Sequence, residues 1–98
     1  MRIRFLAPAQ IELFEAIAYY NEQLNGLGFR FSDEVKKATK RVIQYPEAWP
    51  RLSRTTRHCQ VKGFPYVIYY PREGELVIVA VMHSSKEPGN WKDRTVRV

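Results

Sequence analysis

Residues 64–94 have the sequence FPYVIYYPREGELVIVAVMHSSKEPGNWKDR, and this stretch decides the fold. It predicts two strands, 66–70 and 75–82, because Val, Ile and Tyr suit the half-buried positions of a sheet. Glu73-Gly74 between them predicts a tight hairpin turn, since glycine supplies the positive φ that such turns require. The second strand is apolar on both faces. We therefore expect a central strand in a sheet that is covered on each side.

The residues before this stretch predict two further strands and two helices. Residues 2–6 alternate between polar and apolar and favour a short strand, and residues 56–61 favour another. Between them, apolar side chains recur every three or four positions from 10 to 24 and from 31 to 45, which is the spacing of amphipathic helices. We expect Gly26 to end the first helix in a left-handed conformation. The connection is so short that the helices must form an antiparallel hairpin.

This order predicts an α+β class: an N-terminal strand, then an antiparallel helical hairpin packed on a mostly antiparallel sheet of three or four strands, β-α-α-β-β-β. A chain of 98 residues predicts one domain, residues 1–98. No apolar run approaches the ~20 residues that a membrane helix needs, so we expect no membrane contact. A lone cysteine, Cys59, is typical of a reducing compartment, and we expect a cytoplasmic protein.

The net charge of +6 is unevenly placed along the chain. Residues 1–35 carry three basic groups and five acids, a balance of −2, so the remaining 63 residues hold +8. Local positive charge steers anionic partners, which makes the second part of the chain a candidate contact surface for nucleic acid or an acidic protein. Part of this charge, Lys36, Lys37, Lys40 and Arg41, lies between apolar positions of the second helix and should point to solvent.

The candidate site consists of cations and one imidazole. These residues are Arg57, His83, Lys86 and Arg94, and the candidate stacking groups beside them are Tyr69, Tyr70 and Trp91. If Arg57 and His83 lie close together they could serve RNA cleavage, which requires a base, an acid and a cation for the developing charge. Each also has a structural interpretation, His83 as a hydrogen-bonded residue at a strand end and Arg57 as the partner of a carboxylate such as Glu47 or Asp93.

The motifs of several other site classes are absent from the sequence. Two histidines and one cysteine without close spacing do not form a metal signature, and there is no glycine-rich phosphate loop or nucleophile elbow. His58 and Cys59 are neighbours in a predicted strand, so their side chains face opposite ways and cannot share a proton. We expect no metal, no cofactor and a buried Cys59.

Several segments together resemble the RelE/ParE superfamily of toxins from bacterial type II toxin–antitoxin modules. In chain order they are residues 9–20 ending EAIAYY, residues 26–35 GLGFRFSDEV, residues 46–50 PEAWP, Arg57, residues 64–70 FPYVIYY, residues 77–83 VIVAVMH, and residues 88–91 PGNW with Arg94. The resemblance implies a helical hairpin against an antiparallel sheet. The Gly-Leu-Gly turn and the Trp-Pro loop are more similar to the ParE branch, whose members are thought to poison DNA gyrase.

On this resemblance, the chain is expected to be a growth-inhibiting toxin that binds DNA gyrase and is neutralised by a cognate antitoxin. Arg57 matches a sheet arginine that both branches tend to keep, and Lys86 stands where many members have arginine. With Trp91 and Arg94 they form the implied target-binding or nucleic-acid-binding set. The resemblance also implies that the antitoxin wraps the helical hairpin and the sheet edge. Its acidic groups are expected to meet either the helix cations Lys36, Lys37, Lys40 and Arg41 or the cations of the C-terminal tail.

Two alternatives stay open. RelE-like relatives cleave messenger RNA on the ribosome, and in that reading Arg57 and Lys86 hold phosphate while His83 transfers a proton. Such relatives often have a tyrosine near the C-terminus, whereas this chain ends in Thr-Val-Arg-Val, so no catalytic residue is assigned. The second alternative is a chain that has lost toxicity and binds an antitoxin only.

Overall fold

The computed structural model describes residues 2–64, residues 66–82 and Arg94. The elements are β1 (Arg2–Phe5), α1 (Ala7–Gln23), α2 (Leu27–Gln44), β2 (Arg57–Gln60), β3 (Tyr66–Arg72) and β4 (Glu75–Met82). A strand, two helices and three strands confirm the predicted α+β class. No helix in these ranges is long and apolar enough to cross a membrane.

The four strands form one mixed sheet in the order β1-β4-β3-β2. β2, β3 and β4 are antiparallel to one another, and β1 lies parallel to β4. β4 is a central strand, as its two apolar faces predict, and every residue of 76–82 is buried. The turn between β3 and β4 has Gly74 at φ 76°, which confirms the predicted hairpin.

The helices cover one face of the sheet. α2 turns Phe31, Val35, Ala38 and Val42 inward, as their spacing predicts. Tyr45, the last residue of that pattern, lies beyond the helix end and is 66% exposed. The core under the helices also contains Cys59, Val61, Val67, Tyr69, Leu76 and Ile78. A second buried cluster on the other face contains Ile68, Tyr70, Val77, Val79, Ala80 and Met82.

The helical hairpin differs from the prediction at Gly26. α1 ends at Gln23, and the residue that caps it, Leu24, is extended. Gly26 is left-handed, at φ 87°, but it is the N-cap residue that precedes α2 rather than the residue that caps the end of α1. The turn forms because the Leu27 N–H donates to the Leu24 carbonyl at 2.9 Å, and of the two residues between them, Asn25 and Gly26, the glycine takes the positive φ.

Gly28 allows the two helices to approach closely. A Cβ at this position would overlap the carbonyl oxygen of Ile17. The Gly28 N–H also donates to Asn21 Oδ1 at 2.7 Å, so a side chain of α1 satisfies a backbone donor in the first turn of α2. The second glycine of the Gly-Leu-Gly turn therefore fixes how α1 lies against α2, and through it against the sheet.

Candidate functional site

Arg57 begins β2 at one edge of the sheet. Alternation along the strand places its side chain on the same face as the buried Cys59, toward the helices. Its Nη1 donates to the carbonyl of Trp49 at 2.7 Å, and Trp49 itself packs against the core. Arg57 is therefore anchored by the loop that precedes β2. Of the two carboxylates predicted as partners of Arg57, Glu47 makes no ion pair with it in the described part of the chain, and Asp93 lies outside the described residues.

Tyr69 lies directly opposite Arg57 on β3. Its hydroxyl donates to the Pro46 carbonyl at 2.9 Å. Burial raises the pKa of this phenol to about 12, and the positive charge of Arg57 opposes the rise. The hydroxyl therefore stays protonated at neutral pH and holds the Pro46 end of the loop on the sheet.

The prediction of Tyr69 and Tyr70 as stacking groups is wrong. Their exposed fractions are 0% and 8%, because neighbouring residues of β3 point to opposite faces and each ring fills one of the two buried clusters. A base cannot stack on either ring in this structure.

The loop before β2 folds back along that strand. The Leu52 and Ser53 N–H groups donate to the Thr56 carbonyl at 2.9 and 3.3 Å, and the His58 N–H donates to the Pro50 carbonyl at 3.1 Å. These bonds pair Arg51 with Arg57 in an antiparallel bridge. Residues directly opposite in such a bridge send their side chains to the same face, so the two arginines leave the backbone side by side.

Three arginines line one open cleft of about 210 Å³, which we call the arginine cleft. Its lining is Glu47, Arg51, Arg54, Thr55, Thr56, Arg57 and Pro71. Within residues 2–64 and 66–82, no carboxylate lies within 4.0 Å of the guanidinium nitrogens of these three arginines. The described lining residues carry three positive charges and one negative charge, so the cleft is suited to an anion.

The sequence does not predict Arg51 and Arg54 as site residues. Their signal is the run RLSRTTR at residues 51–57, but a loop between a proline and a strand has no fixed period from which convergence could be predicted. The Arg51–Arg57 bridge, which brings the arginines together, depends on the path of the loop.

Arg94 is held in a bidentate ion pair with Glu12 of α1. Its Nη1 and Nη2 lie 2.8 and 3.0 Å from the two carboxylate oxygens, and Nη1 also donates to the Val79 carbonyl at 3.0 Å. Glu12 accepts a further bond from the Val81 N–H at 3.1 Å. Because β1 pairs with β4 only as far as Ile78, these side chains serve backbone groups of β4 beyond the end of β1.

Arg94 therefore has a structural role in this fold: its side chain is 17% exposed and that of Glu12 is 16% exposed. Its predicted part in target binding stays a prediction. His83, Lys86 and Trp91, the other candidates from the C-terminal stretch, lie outside the described residues.

The cations of α2 divide into two kinds. Lys36, Lys37 and Lys40 are exposed, as predicted. Arg41 is half-buried and donates to the Gln60 carbonyl at 3.3 Å, so it reaches β2 instead of pointing to solvent. It also lies near the buried Cys59, where burial raises the pKa of the thiol and Arg41 opposes the rise.

α1 is apolar on its outer face as well as on its inner face. Ile11 and Phe14 are 57% and 58% exposed, and Ala18, one turn further, is exposed too. Residues three or four apart are neighbours on a helix surface, so these three form a continuous row, which we call the α1 stripe. Contiguous exposed apolar surface is typical of interaction sites, so the α1 stripe is a candidate for one.

No group of three or more His, Cys, Asp or Glu side chains is arranged to hold a metal ion in the part of the chain that the structure describes. The site is thus an arginine cleft at the β2 edge of the sheet and an apolar stripe on α1. Both are suited to binding another molecule.

Comparison with known proteins gives concordant matches. The sequence model of the ParE toxin of the type II toxin–antitoxin system parDE matches residues 3–88. Toxin ParE2 of Mycobacterium tuberculosis strain H37Rv is 34% identical over 92 residues, covering 89% of this chain and 85% of the relative. Toxin ParE2 of strain CDC 1551 / Oshkosh matches with the same values.

One solved structure is similar in fold. It is described as the chromosomal ParDE TA system from P. aeruginosa, and its superposition has a TM-score of 0.72 at 12% identity, covering 85% of this chain and 95% of that one. At this identity the likeness shows a shared fold.

Proposed function

This chain belongs to the ParE toxin family of type II toxin–antitoxin systems, and on that premise we propose that it arrests bacterial growth by binding DNA gyrase and that a cognate antitoxin neutralises it. The observation that carries the proposal is the match to the ParE toxin model over residues 3–88. The arginine cleft and the α1 stripe supply two surfaces, one for the target and one for the antitoxin.

The α1 stripe is the proposed seat of the antitoxin. Ile11 and Phe14 offer apolar side chains at the spacing that an amphipathic segment of a partner can cover. Burying an apolar side chain of this size is worth about 1.5–3 kcal/mol. The lysines Lys36, Lys37 and Lys40 of α2 supply positive charge for acidic antitoxin residues, as expected from the sequence, and charges of this kind mainly raise the association rate.

A growth assay tests the antitoxin surface. Replacing Phe14 by Ser should leave toxicity in place but weaken rescue by the co-expressed antitoxin. The matched control is Tyr45→Ser, which removes a similarly exposed aromatic ring, 66% exposed against 58% for Phe14, just beyond the C-terminal end of α2. Equal rescue of both variants would remove the α1 stripe from the antitoxin interface.

The target is tested by parallel readouts after induction without antitoxin. We expect growth arrest, lost plasmid supercoiling and intact messenger RNA. Arg57→Ala should weaken the arrest if Arg57 contacts the target, and this comparison must be made at equal protein level because the Trp49 carbonyl loses its partner. Full toxicity of that variant would remove Arg57 from the target site.

A RelE-like, ribosome-dependent messenger RNA endoribonuclease is the second candidate, and the arginine cleft favours it. Guanidinium groups can hold the scissile phosphate and stabilise the charge that develops on it. Cleaved messenger with intact supercoiling would establish this candidate. Induction without any growth defect would instead support a chain that binds its antitoxin and has lost toxicity.

A further inference from the structure

We propose that Arg51, Arg54 and Arg57 form a binding site for the phosphate groups of a nucleic-acid backbone. The inference rests on the proposed function only in sharing Arg57 as a contact residue. It adds two residues, Arg51 and Arg54, and it specifies the chemistry of the ligand.

The fold brings like charges together in the arginine cleft, where their repulsion destabilises the protein. Arg51 and Arg57 are directly opposite in an antiparallel bridge, and like charges in that position repel each other. Arg54 adds a third positive charge to the same cleft. Within the two described ranges, no carboxylate reaches these groups to offset the repulsion. A bound anion would remove this unfavourable interaction.

The arginine cleft is partly preorganised for an anion. Arg57 is anchored through Nη1 to the Trp49 carbonyl at 2.7 Å, which restricts its side chain but leaves other N–H donors of the guanidinium group available. The Arg51 backbone is held by the bridge to β2. A site whose cations are already positioned loses less entropy when the ligand binds.

The charge of the arginine cleft fits a series of phosphates better than a single carboxylate. A guanidinium fork matches phosphate and carboxylate oxygens alike, but three forks in one cleft provide more positive charge than a single carboxylate carries. A nucleic-acid backbone presents a phosphate at every nucleotide, so several arginines can each contact one. Thr55, an exposed hydroxyl in the lining, is a further donor of the kind that contacts phosphate.

The cleft also lies where a polymer can reach it. β2 is an edge strand, and the cleft is open to solvent. Among the described residues, its lining has charged groups, threonines and a proline but no aromatic ring, so none of these residues stacks on a base. We expect binding with little sequence preference, since phosphate contacts alone carry no sequence information.

The test measures binding of the antitoxin-free full chain to labelled oligonucleotides of equal length by fluorescence anisotropy across a range of salt concentrations. Single-stranded DNA, single-stranded RNA and duplex DNA are the three arms, which identify the source of the phosphates. The test variant is R51Q/R54Q, because both side chains are exposed and their loss should spare the fold. The matched control is R2Q/R4Q, which removes two arginines at the opposite edge of the sheet.

For R51Q/R54Q we expect about tenfold weaker binding or more to the best nucleic acid. The slope of log K against log salt should fall by about 1.4 for a single strand, which is about 0.7 for each lost phosphate contact. R2Q/R4Q should keep the wild-type slope. Thermal unfolding of both variants confirms that the fold is retained.

Three results would overturn the proposal. Equal losses in the two variants would mean that overall positive charge binds the oligonucleotide. Binding of a glutamate oligomer as tightly as the nucleic acid would assign the cleft to an acidic protein. The third is an absence of wild-type binding even at low salt. Because no gyrase or antitoxin is present, each of these results is separable from a failure of growth arrest or of gyrase inhibition.

Discussion

In the described part of the chain, three arginines meet around Glu75 and three at the β2 edge, and the two groups differ in whether a carboxylate pairs with them. Around Glu75 of β4, Arg4 and Arg2 of β1 and Arg72 of β3 lie 3.2, 3.8 and 3.9 Å from the carboxylate, and we call this group the Glu75 cluster. At the β2 edge, the three residues of the arginine cleft share a lining with Glu47 but form no ion pair with it among the described residues. The positive charge of the Glu75 cluster is partly neutralised by Glu75, whereas that of the arginine cleft is open to a ligand.

This difference separates arginines that serve the fold from arginines available for a ligand. Glu75 is 13% exposed at its side chain, whereas its arginine partners are 44–86% exposed, so each pair is screened by solvent and stabilises the fold only modestly. Arg94 belongs with them, because Glu12 occupies its guanidinium group. Counting arginines in the sequence cannot make this distinction, since all of them carry the same charge.

The largest expected effect comes from breaking a pair of the first kind. Glu12→Ala leaves the Arg94 guanidinium and the Val81 N–H without their carboxylate, and both lie in a mostly buried setting. We expect the free energy of unfolding to fall by about 3 kcal/mol, measured by urea denaturation. Glu15→Ala, an exposed position on the same helix, is the control. A loss of less than about 1 kcal/mol would show that the pair is not a fold determinant.

The next effect comes from removing the carboxylate of the Glu75 cluster. Glu75→Gln should lower the free energy of unfolding by about 1 kcal/mol, because three arginines lose their shared partner. The same change turns the Glu75 cluster into a second set of unpaired cations, so nucleic-acid binding should strengthen. Glu73→Gln, in the neighbouring turn, controls for the change in net charge. If both variants bind equally, local pairing does not decide which arginines are available.

Tyr69→Phe sharpens the β2 side of the comparison, because the Tyr69 hydroxyl holds the Pro46 end of the loop next to Arg57. Losing that bond should lower the free energy of unfolding by about 1 kcal/mol at neutral pH.

The pH dependence of the same variant gives a second readout. The folded phenol has a pKa of about 12 against an ordinary 10.0, so its contribution is complete below about pH 10 and is lost as the pH rises toward 12. The wild type should therefore lose stability over this range, and Tyr69→Phe should lose less. Identical alkaline curves for the two proteins would refute the raised pKa of Tyr69.

The smallest effect on stability has the opposite sign. Arg51→Glu places a carboxylate directly opposite Arg57, so a repulsive cross-strand pair becomes attractive and the protein should be stabilised by about 0.5 kcal/mol. Nucleic-acid binding should weaken in the same variant. A gain in stability together with a loss of binding would show that the cleft is retained for a ligand at the expense of stability. Destabilisation by this change would argue against the repulsion between Arg51 and Arg57.

Much of the fold could be predicted from the sequence because its signals are local. The apolar run of residues 76–82 predicts a central strand, and the spacing from Phe31 to Val42 predicts the buried face of α2. The predicted end of α1 is wrong because a left-handed glycine in a short turn can follow one helix or precede the next. Here Gly26 precedes α2. Which helix it borders depends on the Leu24–Leu27 hydrogen bond.

The candidate site was less predictable, since it depends on pairings between distant residues. Arg57 was identified, but its neighbours Arg51 and Arg54 join it only through a loop register that has no sequence period. The pairing of Glu12 with Arg94, 82 residues apart, is likewise a tertiary contact. Long-range contacts of this kind decide whether a charged residue is available to bind a ligand, and composition cannot predict them.

The most direct test of the central claim is plasmid supercoiling by purified bacterial DNA gyrase in the presence of the antitoxin-free full chain. We predict that the wild-type chain blocks supercoiling, that equimolar cognate antitoxin restores it, and that R51Q/R54Q blocks it less than R2Q/R4Q does. Full supercoiling activity at a concentration of the chain that cleaves messenger RNA in a translation extract would contradict the account.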